Sequence, residues 1–333
     1  MADRILEVNN LKVSYNTYAG KVQAVRGVSF YVNRGEAVAI VGESGCGKSV
    51  TAKSIMGLIK PPLAEVEDGS IIYNGENILE YNNKQWSNYK GSECAIVFQD
   101  ALASLNPTMK VGKQITENLI VHRNMSKSQA KKAAIELLGL VGIPEADKRF
   151  EQYPHEFSGG MRQRVMIAIA FACNPKLLIC DEPTTALDVT IQGQILDILK
   201  EQQKKNNTSI IMITHDLGVV ANMARRIIVM YAGVIVESGM AEDIFYHPKH
   251  PYTIALILAV PRLDLDKKQR LSAIKGTPPS LLNPPLGCPF SARCKYCMKV
   301  CKKRMPKESD FGDGHKAACW LFHKLAPKVD IFE

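Results

Sequence analysis

Gly42-Glu43-Ser44-Gly45-Cys46-Gly47-Lys48-Ser49 is the stretch on which the reading of this chain turns. The apolar run before it, Ala37, Val38, Ala39, Ile40 and Val41, has strand character, and a helix is expected to open at Lys48 and Ser49. The octapeptide satisfies G-x-x-x-x-G-K-[ST]. Its glycines let backbone N–H groups point at phosphate oxygens, while the following helix presents the positive end of its dipole to the same anion. Lys48 is expected to reach the β- and γ-phosphates of a nucleotide, and Val50 continues the binding segment into the helix. Ser49 is expected to place its hydroxyl on Mg²⁺, which takes few protein ligands and fills its octahedron with phosphate oxygens and water.

A second apolar run, Leu177, Leu178, Ile179 and Cys180, closes on Asp181-Glu182-Pro183. Open α/β sheets bind ligands at the carboxyl ends of their strands, so Asp181 is expected to hold a Mg²⁺-bound water and Glu182 to face the γ-phosphate. On its own the pair also fits an acidic turn after a buried strand.

The wider composition sets bounds on this reading. With 46% hydrophobic and 23% charged residues in 333, the chain has the make-up of a globular protein large enough for two domains, and not of a collagen-like, disordered or repetitive one. A membrane-spanning helix needs about 20 apolar residues in a row, and the longest candidate, Ile254 to Val260, falls far short. Asp3 and Glu7 stand where a signal peptide would place its apolar core, so a cytoplasmic protein is expected.

The net charge of +9 is concentrated late: residues 261–333 hold 15 Lys and Arg against 7 Asp and Glu. A solvated basic face is the ordinary explanation, and a nucleic-acid or anionic-lipid surface the alternative. Cysteines crowd into the same region as Cys288, Cys294, Cys297, Cys301 and Cys319. In a reducing compartment such crowding favours metal or iron–sulfur ligation over disulfides.

Between the two phosphate-site strands lies Phe157-Ser158-Gly159-Gly160-Met161-Arg162-Gln163-Arg164, followed by the helical run Val165 to Ala172. A hydroxyl, two unhindered backbone amides and a helix dipole would there face an anion. This segment resembles the signature of the ATP-binding-cassette (ABC) ATPases, with Phe157 in place of the more usual leucine. In that family, Ser158, Gly159 and Gly160 would bind the γ-phosphate of ATP held by the opposite cassette. The resemblance extends residue by residue. Gln99, in Val97-Phe98-Gln99-Asp100, is similar to the glutamine that contacts Mg²⁺ and the attacking water. Asp188, in Ala186-Leu187-Asp188, is similar to the aspartate at the dimer seam. His215, after the run Ile210 to Thr214, is similar to the histidine that contacts the γ-phosphate. Tyr15 is the expected adenine-stacking aromatic, with Tyr18 as competitor.

The resemblance covers residues 4 to about 240 as one cassette. It implies an α/β fold with a RecA-like core, a β-subdomain and a helical insertion near residues 101–165, where Lys131 to Leu140 shows helical spacing and Pro144 interrupts it. Further strands are expected around Leu177 to Ile179, Ile210 to Ile213 and Ile227 to Met230. Beyond it, residues 241–333 form a small cysteine-rich extension. There His250-Pro251-Tyr252-Thr253, the proline-rich stretch from Pro278 to Pro289, Gly287-Cys288-Pro289-Phe290 and Arg293-Cys294 resemble the oligopeptide and dipeptide importer ATPases, a subfamily that includes nickel-importer subunits. Such a proline run favours extended loop.

By that resemblance Cys288, Cys294, Cys301 and Cys319, spaced C-x₅-C-x₆-C-x₁₇-C, would hold a [4Fe–4S] cluster. Cys297 departs from the pattern and could replace a neighbour, and a tetrahedral zinc site is the alternative. The resemblance further implies ATP hydrolysis with Mg²⁺ between two head-to-tail cassettes, the second a paralogue or another copy. The assembly would sit on two transmembrane permease subunits at the cytoplasmic face of the membrane, served indirectly by an extracytoplasmic solute-binding protein. A ribosome-associated ABC factor would carry two cassettes, and a chromosome-structure ATPase a long heptad insertion. Neither is present in the sequence, and a binding module with dead catalysis is discouraged by the intact Lys48, Glu182 and His215.

Overall fold

The computed structural model describes residues 3–184, 188–259 and 274–329. By its internal contacts the chain forms two compact units, each assembled from separate stretches of sequence.

The first unit comprises Ile72–Ile213 with the short segments 3–6 and Tyr31–Ala37. Strands Cys94–Val97, Leu177–Asp181 and Ser209–Thr214 run parallel in it, with Val97 opposite Cys180 and Asp181 opposite Ile213. The middle strand is buried along its whole length, which is why it reads as a continuous apolar run instead of an alternating one. Helices Val111–Arg123 and Lys127–Leu140 fall within residues 101–165, and Gly159–Phe171 begins there and runs on to residue 171. Lys127–Leu140 starts on a capping box, in which Ser126 accepts from the Gln129 N–H and the Gln129 side chain accepts from the Ser126 N–H. It buries Ala130, Ala134 and Leu138, one face at four-residue spacing. The chain leaves it through Gly142 at φ 74°, ahead of Pro144.

The second unit comprises Glu7–Phe30, Val38–Ile71 and the described residues from Thr214 onward. Strands Arg4–Thr17, Gly20–Asn33 and Ala64–Tyr73 share a sheet in which Arg4–Thr17 is central. In a second sheet Ala37–Val41 runs parallel to Arg226–Tyr231, with Val38 opposite Arg226 and Val41 opposite Val229. Arg226–Tyr231 pairs antiparallel with Val234–Met240, and the tail adds Lys316–Ala317 to that strand, with Glu237 opposite Ala317. The tail therefore extends the sheet that carries the glycine-rich loop.

Its packing is continuous with that sheet as well. Tyr231, Tyr252, Cys288, Phe290 and Cys301 are buried in one apolar cluster with Val41, Val229 and Val236. The Tyr231 and Tyr252 rings lie 4.6 Å apart, and Phe290 stands 5.3 Å from each. The apolar stretch around Ile254 lies in the helix Pro251–Leu258. Among the described residues no helix is long and apolar enough to cross a membrane. The part of that stretch at Val260, and the basic and acidic residues up to Ala273, lie outside the described residues.

Candidate nucleotide site and its C-terminal neighbour

In the second unit the fully buried strand Ala37–Val41 delivers the chain into the glycine-rich loop. Gly42 and Gly47 are required by their surroundings. A side chain on Gly42 would collide with the Met230 carbonyl, and a Cβ on Gly47, at φ 103°, would come 2.5 Å from the Ala24 carbonyl oxygen. Gly47 caps the helix Lys48–Ile55. Lys48, only 5% exposed, donates through Nζ to the Gly42 carbonyl at 2.7 Å and the Glu43 carbonyl at 3.0 Å. Ser44 and Gly45 are exposed at the tip, Ser49 and Val50 are half-buried, and Cys46 is buried with its thiol pushed up by desolvation. In the same unit Tyr15 is half-buried on its strand, whereas Tyr18 is fully exposed. His215 follows Thr214 in an exposed bend, directly before Asp216, which caps the helix Leu217–Met223.

In the first unit Asp181 is buried at the carboxyl end of its strand. Glu182 comes next with φ 49°, a left-handed conformation unusual for a residue with a Cβ. Its N–H donates to the Ile213 carbonyl at 2.8 Å, and its Oε2 accepts from Gln99 Nε2 at 3.0 Å. Gln99 is exposed just after Cys94–Val97, so the parallel pairing of two strands brings the glutamine and the glutamate together. Ser158 caps Gly159–Phe171, its Oγ accepting from the Met161 N–H at 3.3 Å. Ser158 and Gly159 are exposed, Gly160 is half-buried, and Phe157 is buried beneath them. Asp188 caps the helix Val189–Asn206 by accepting from the Ile191 N–H at 2.8 Å. Ala186 and Leu187 lie outside the described residues.

The tail supplies contacts that the motifs did not announce. Arg293 grips the Glu43 carboxylate with both Nη atoms, at 2.6 and 2.9 Å, and Tyr252 Oη accepts from the Glu43 N–H at 2.8 Å. The only sequence signal for either lay in the subfamily-like segments Arg293-Cys294 and His250-Pro251-Tyr252-Thr253. Cys288, Cys294, Cys301 and Cys319 line one pocket together with Phe290 and Trp320. Burial pushes the Cys288 and Cys319 thiols up to about 12 and Cys294 up to about 11. Yet among the described residues no three or more His, Cys, Asp or Glu side chains are grouped to hold a metal ion. The metal-ligating cysteine group implied by the resemblance is therefore not borne out here: the four thiols share a pocket, but they are not grouped as metal ligands.

Residues 25–185 match the family model described as ABC transporter, and residues 236–301 match the one described as oligopeptide/dipeptide transporter, C-terminal region. The chain is 56% identical over 327 residues to the oligopeptide transport ATP-binding protein OppD of Bacillus subtilis (strain 168), covering 98% of this chain and 91% of that one. It is 53% identical over 319 residues to the dipeptide transport ATP-binding protein DppD of the same organism, covering 96% and 95%. Among solved structures, a dimeric ATP-binding cassette in a post-hydrolysis state, bound to ADP and Pi, aligns with a TM-score of 0.65 at 26% identity, covering 71% of this chain and 98% of that one. The cbiO1 cassette of Clostridium perfringens aligns with a TM-score of 0.62 at 28% identity, covering 77% and 96%. Similarity of this degree over nearly the whole length places the chain in the family of ABC transporter ATPases, among those that carry the oligopeptide/dipeptide transporter C-terminal region.

Proposed function

We propose that this chain is the energy-supplying subunit of a peptide importer. It binds MgATP and hydrolyses it at the interface with a second cassette, and the resulting closing and reopening drives di- or oligopeptides through two permease subunits. It works as a peripheral protein on the cytoplasmic face of the membrane, and an extracytoplasmic binding protein presents the peptide. Functionally the chain divides into a cassette over residues 1–240, with its helical subdomain at 101–165, and an extension over 241–333.

The observation that carries the catalytic reading is Glu182, held in a left-handed turn with its carboxylate against Gln99. In that position it acts as general base toward the attacking water. Lys48 and N–H groups of the Gly42–Ser49 loop other than that of Glu43, which Tyr252 holds, take the phosphates, with Tyr15 stacking on adenine. Ser49, Gln99 and Asp181 offer oxygen donors, the hard ligand set that Mg²⁺ prefers. The bound ion would neutralise charge developing on the phosphoryl oxygens. His215 contacts the γ-phosphate. Ser158, Gly159 and Gly160 serve the nucleotide of the opposite cassette, and Asp188 lies at the seam.

In the extension, Cys288, Cys294, Cys301 and Cys319 fit a [4Fe–4S] cluster by the chemistry of the set, four thiols around one pocket. Such a cluster takes one thiolate per iron, a wider spacing than the ligands of a single zinc ion. Bound there, it would order a segment poor in regular structure.

Vesicles carrying the chain with its cassette partner and permease subunits test the transport reading. ATP-dependent uptake of labelled di- or oligopeptides is expected. Uptake of nickel without peptide would replace the substrate, and ATP hydrolysis indifferent to the permease subunits would overturn the transport role.

A further inference from the structure

Glu43 is the one carboxylate in the octapeptide that forms the phosphate cradle. Such a cradle draws anions through N–H dipoles and a lysine, and a carboxylate within it works against that field unless it is neutralised. The neutralising group comes from the far end of the chain. Arg293 meets both Glu43 oxygens in a fork-to-fork pair, with its own side chain 5% exposed and that of Glu43 23% exposed.

The guanidinium is itself fixed from the other side. Its Nε donates to the Lys275 carbonyl at 2.9 Å, one Nη donates to the Ile274 carbonyl at 3.1 Å, and the other donates to Tyr231 Oη at 3.0 Å. The arginine is thus oriented by the tail and aimed at the loop. The same residue Glu43 also meets Lys48 Nζ through its carbonyl and Tyr252 Oη through its N–H. Its position therefore bears on the phosphate-binding lysine.

We infer that Arg293 is a positioning residue for nucleotide binding: acting through Glu43, it cancels the cradle's one negative charge and fixes the loop, so that the C-terminal extension sets the affinity of the site for ATP. In this role Arg293 acts through the Glu43 carboxylate and not as a phosphate ligand. Its effect is on binding and not on the chemical step. The inference rests on Gly42–Ser49 being the phosphate cradle, which Lys48→Ala tests separately.

The experiment measures KM and kcat for ATP, and ATP affinity by equilibrium titration, in the full-length chain. Two neutral replacements, Arg293→Gln and Arg293→Met, are compared so that a folding defect in one leaves the other to report. Each is made with and without Glu43→Gln. Leaving Glu43 charged and unpaired is expected to raise KM about tenfold with kcat changed by no more than about twofold. Adding Glu43→Gln should then restore KM to within about twofold of the Glu43→Gln protein, a rescue that mere loosening of the tail would not give. An unchanged KM in the single Arg293 variants, or double variants as weak as the single ones, would overturn the inference. If Lys48→Ala binds ATP normally, the cradle assignment falls and this inference with it. If Lys48→Ala is impaired and the rescue is missing, only the role of Arg293 falls.

Discussion

Gln99 and Glu182, 83 residues apart in sequence, meet through a hydrogen bond of 3.0 Å from the amide of one to the carboxylate of the other. Glu182 pays for its place with a left-handed backbone, φ 49°, a conformation that costs a non-glycine residue about 1–3 kcal/mol and persists only where the surroundings impose it. Here the Ile213 carbonyl fixes the backbone and Gln99 fixes the side chain. A carboxylate held this way at a strand end is oriented before any nucleotide arrives.

Removing the orienting amide should therefore cost rate more than affinity. Gln99→Ala is expected to lower kcat about 10- to 100-fold while ATP affinity changes by less than about threefold. Steady-state hydrolysis alongside equilibrium nucleotide titration makes the comparison. A loss confined to affinity would mean that Gln99 holds the nucleotide and not Glu182.

Gly159 offers a clean probe of the shared interface, because a Cβ there meets nothing within 4 Å and the backbone is not left-handed. Gly159→Val should fold and bind ATP as a monomer, yet fail to form the ATP-driven dimer. Light scattering with ATP in a hydrolysis-slowed background measures this. A defect larger in monomer affinity than in dimer formation would contradict the trans role.

Acid should loosen the joint between tail and sheet. His250 is buried; its backbone N–H donates to Glu237 Oε2 at 2.7 Å, its ring Nδ1 accepts from the Tyr252 N–H, and burial pulls its imidazole down to about 4. The unfolded chain, with histidine near 6.5, then binds more protons than the folded one between about pH 6.5 and 4, so stability falls as pH drops through that window. The loss from this group is on the order of 3 kcal/mol once the pH lies below both values. His250→Asn keeps an oxygen to cap the helix Pro251–Leu258 but cannot titrate. Urea midpoints measured from pH 7 to pH 4 should decline less in the variant, and parallel declines would remove His250 as the cause.

Iron analysis of anaerobically purified protein tests the cysteine pocket. About four irons per chain are expected, lost in Cys288→Ser and retained in Cys297→Ser. One zinc and no iron would establish the alternative metal. The contact between Arg293 and Glu43 adds that disruption at neighbouring Cys294 should also weaken ATP binding.

Much of this was legible from residues alone, for physical reasons. The octapeptide Gly42–Ser49 and the run Leu177–Asp181 announce themselves because close backbone approach and two-sided burial leave narrow residue choices. The helical spacing of Lys131 to Leu140 marks the helix Lys127–Leu140, whose first turn the structure shows to be set by the capping box of Ser126 and Gln129. What could not be read is long-range pairing of ordinary residues. Nothing local marks Arg293 as the partner of Glu43, Tyr252 as its second tether, or Lys316–Ala317 as an added strand beside Glu237. The four cysteines that the resemblance singled out do share one pocket, but spacing along the chain does not fix whether thiols close to ligand geometry, and the described side chains do not form a metal-ligating group.

The central claim, that Glu182 activates water for ATP hydrolysis, is tested most directly by Glu182→Gln in a single-turnover assay with ATP binding measured on the same preparation. The amide retains the size of the carboxylate but cannot take a proton. Hydrolysis is expected to slow by about 10²- to 10⁴-fold, the usual worth of a general base, with ATP affinity preserved. Hydrolysis at near-normal rate would contradict the account.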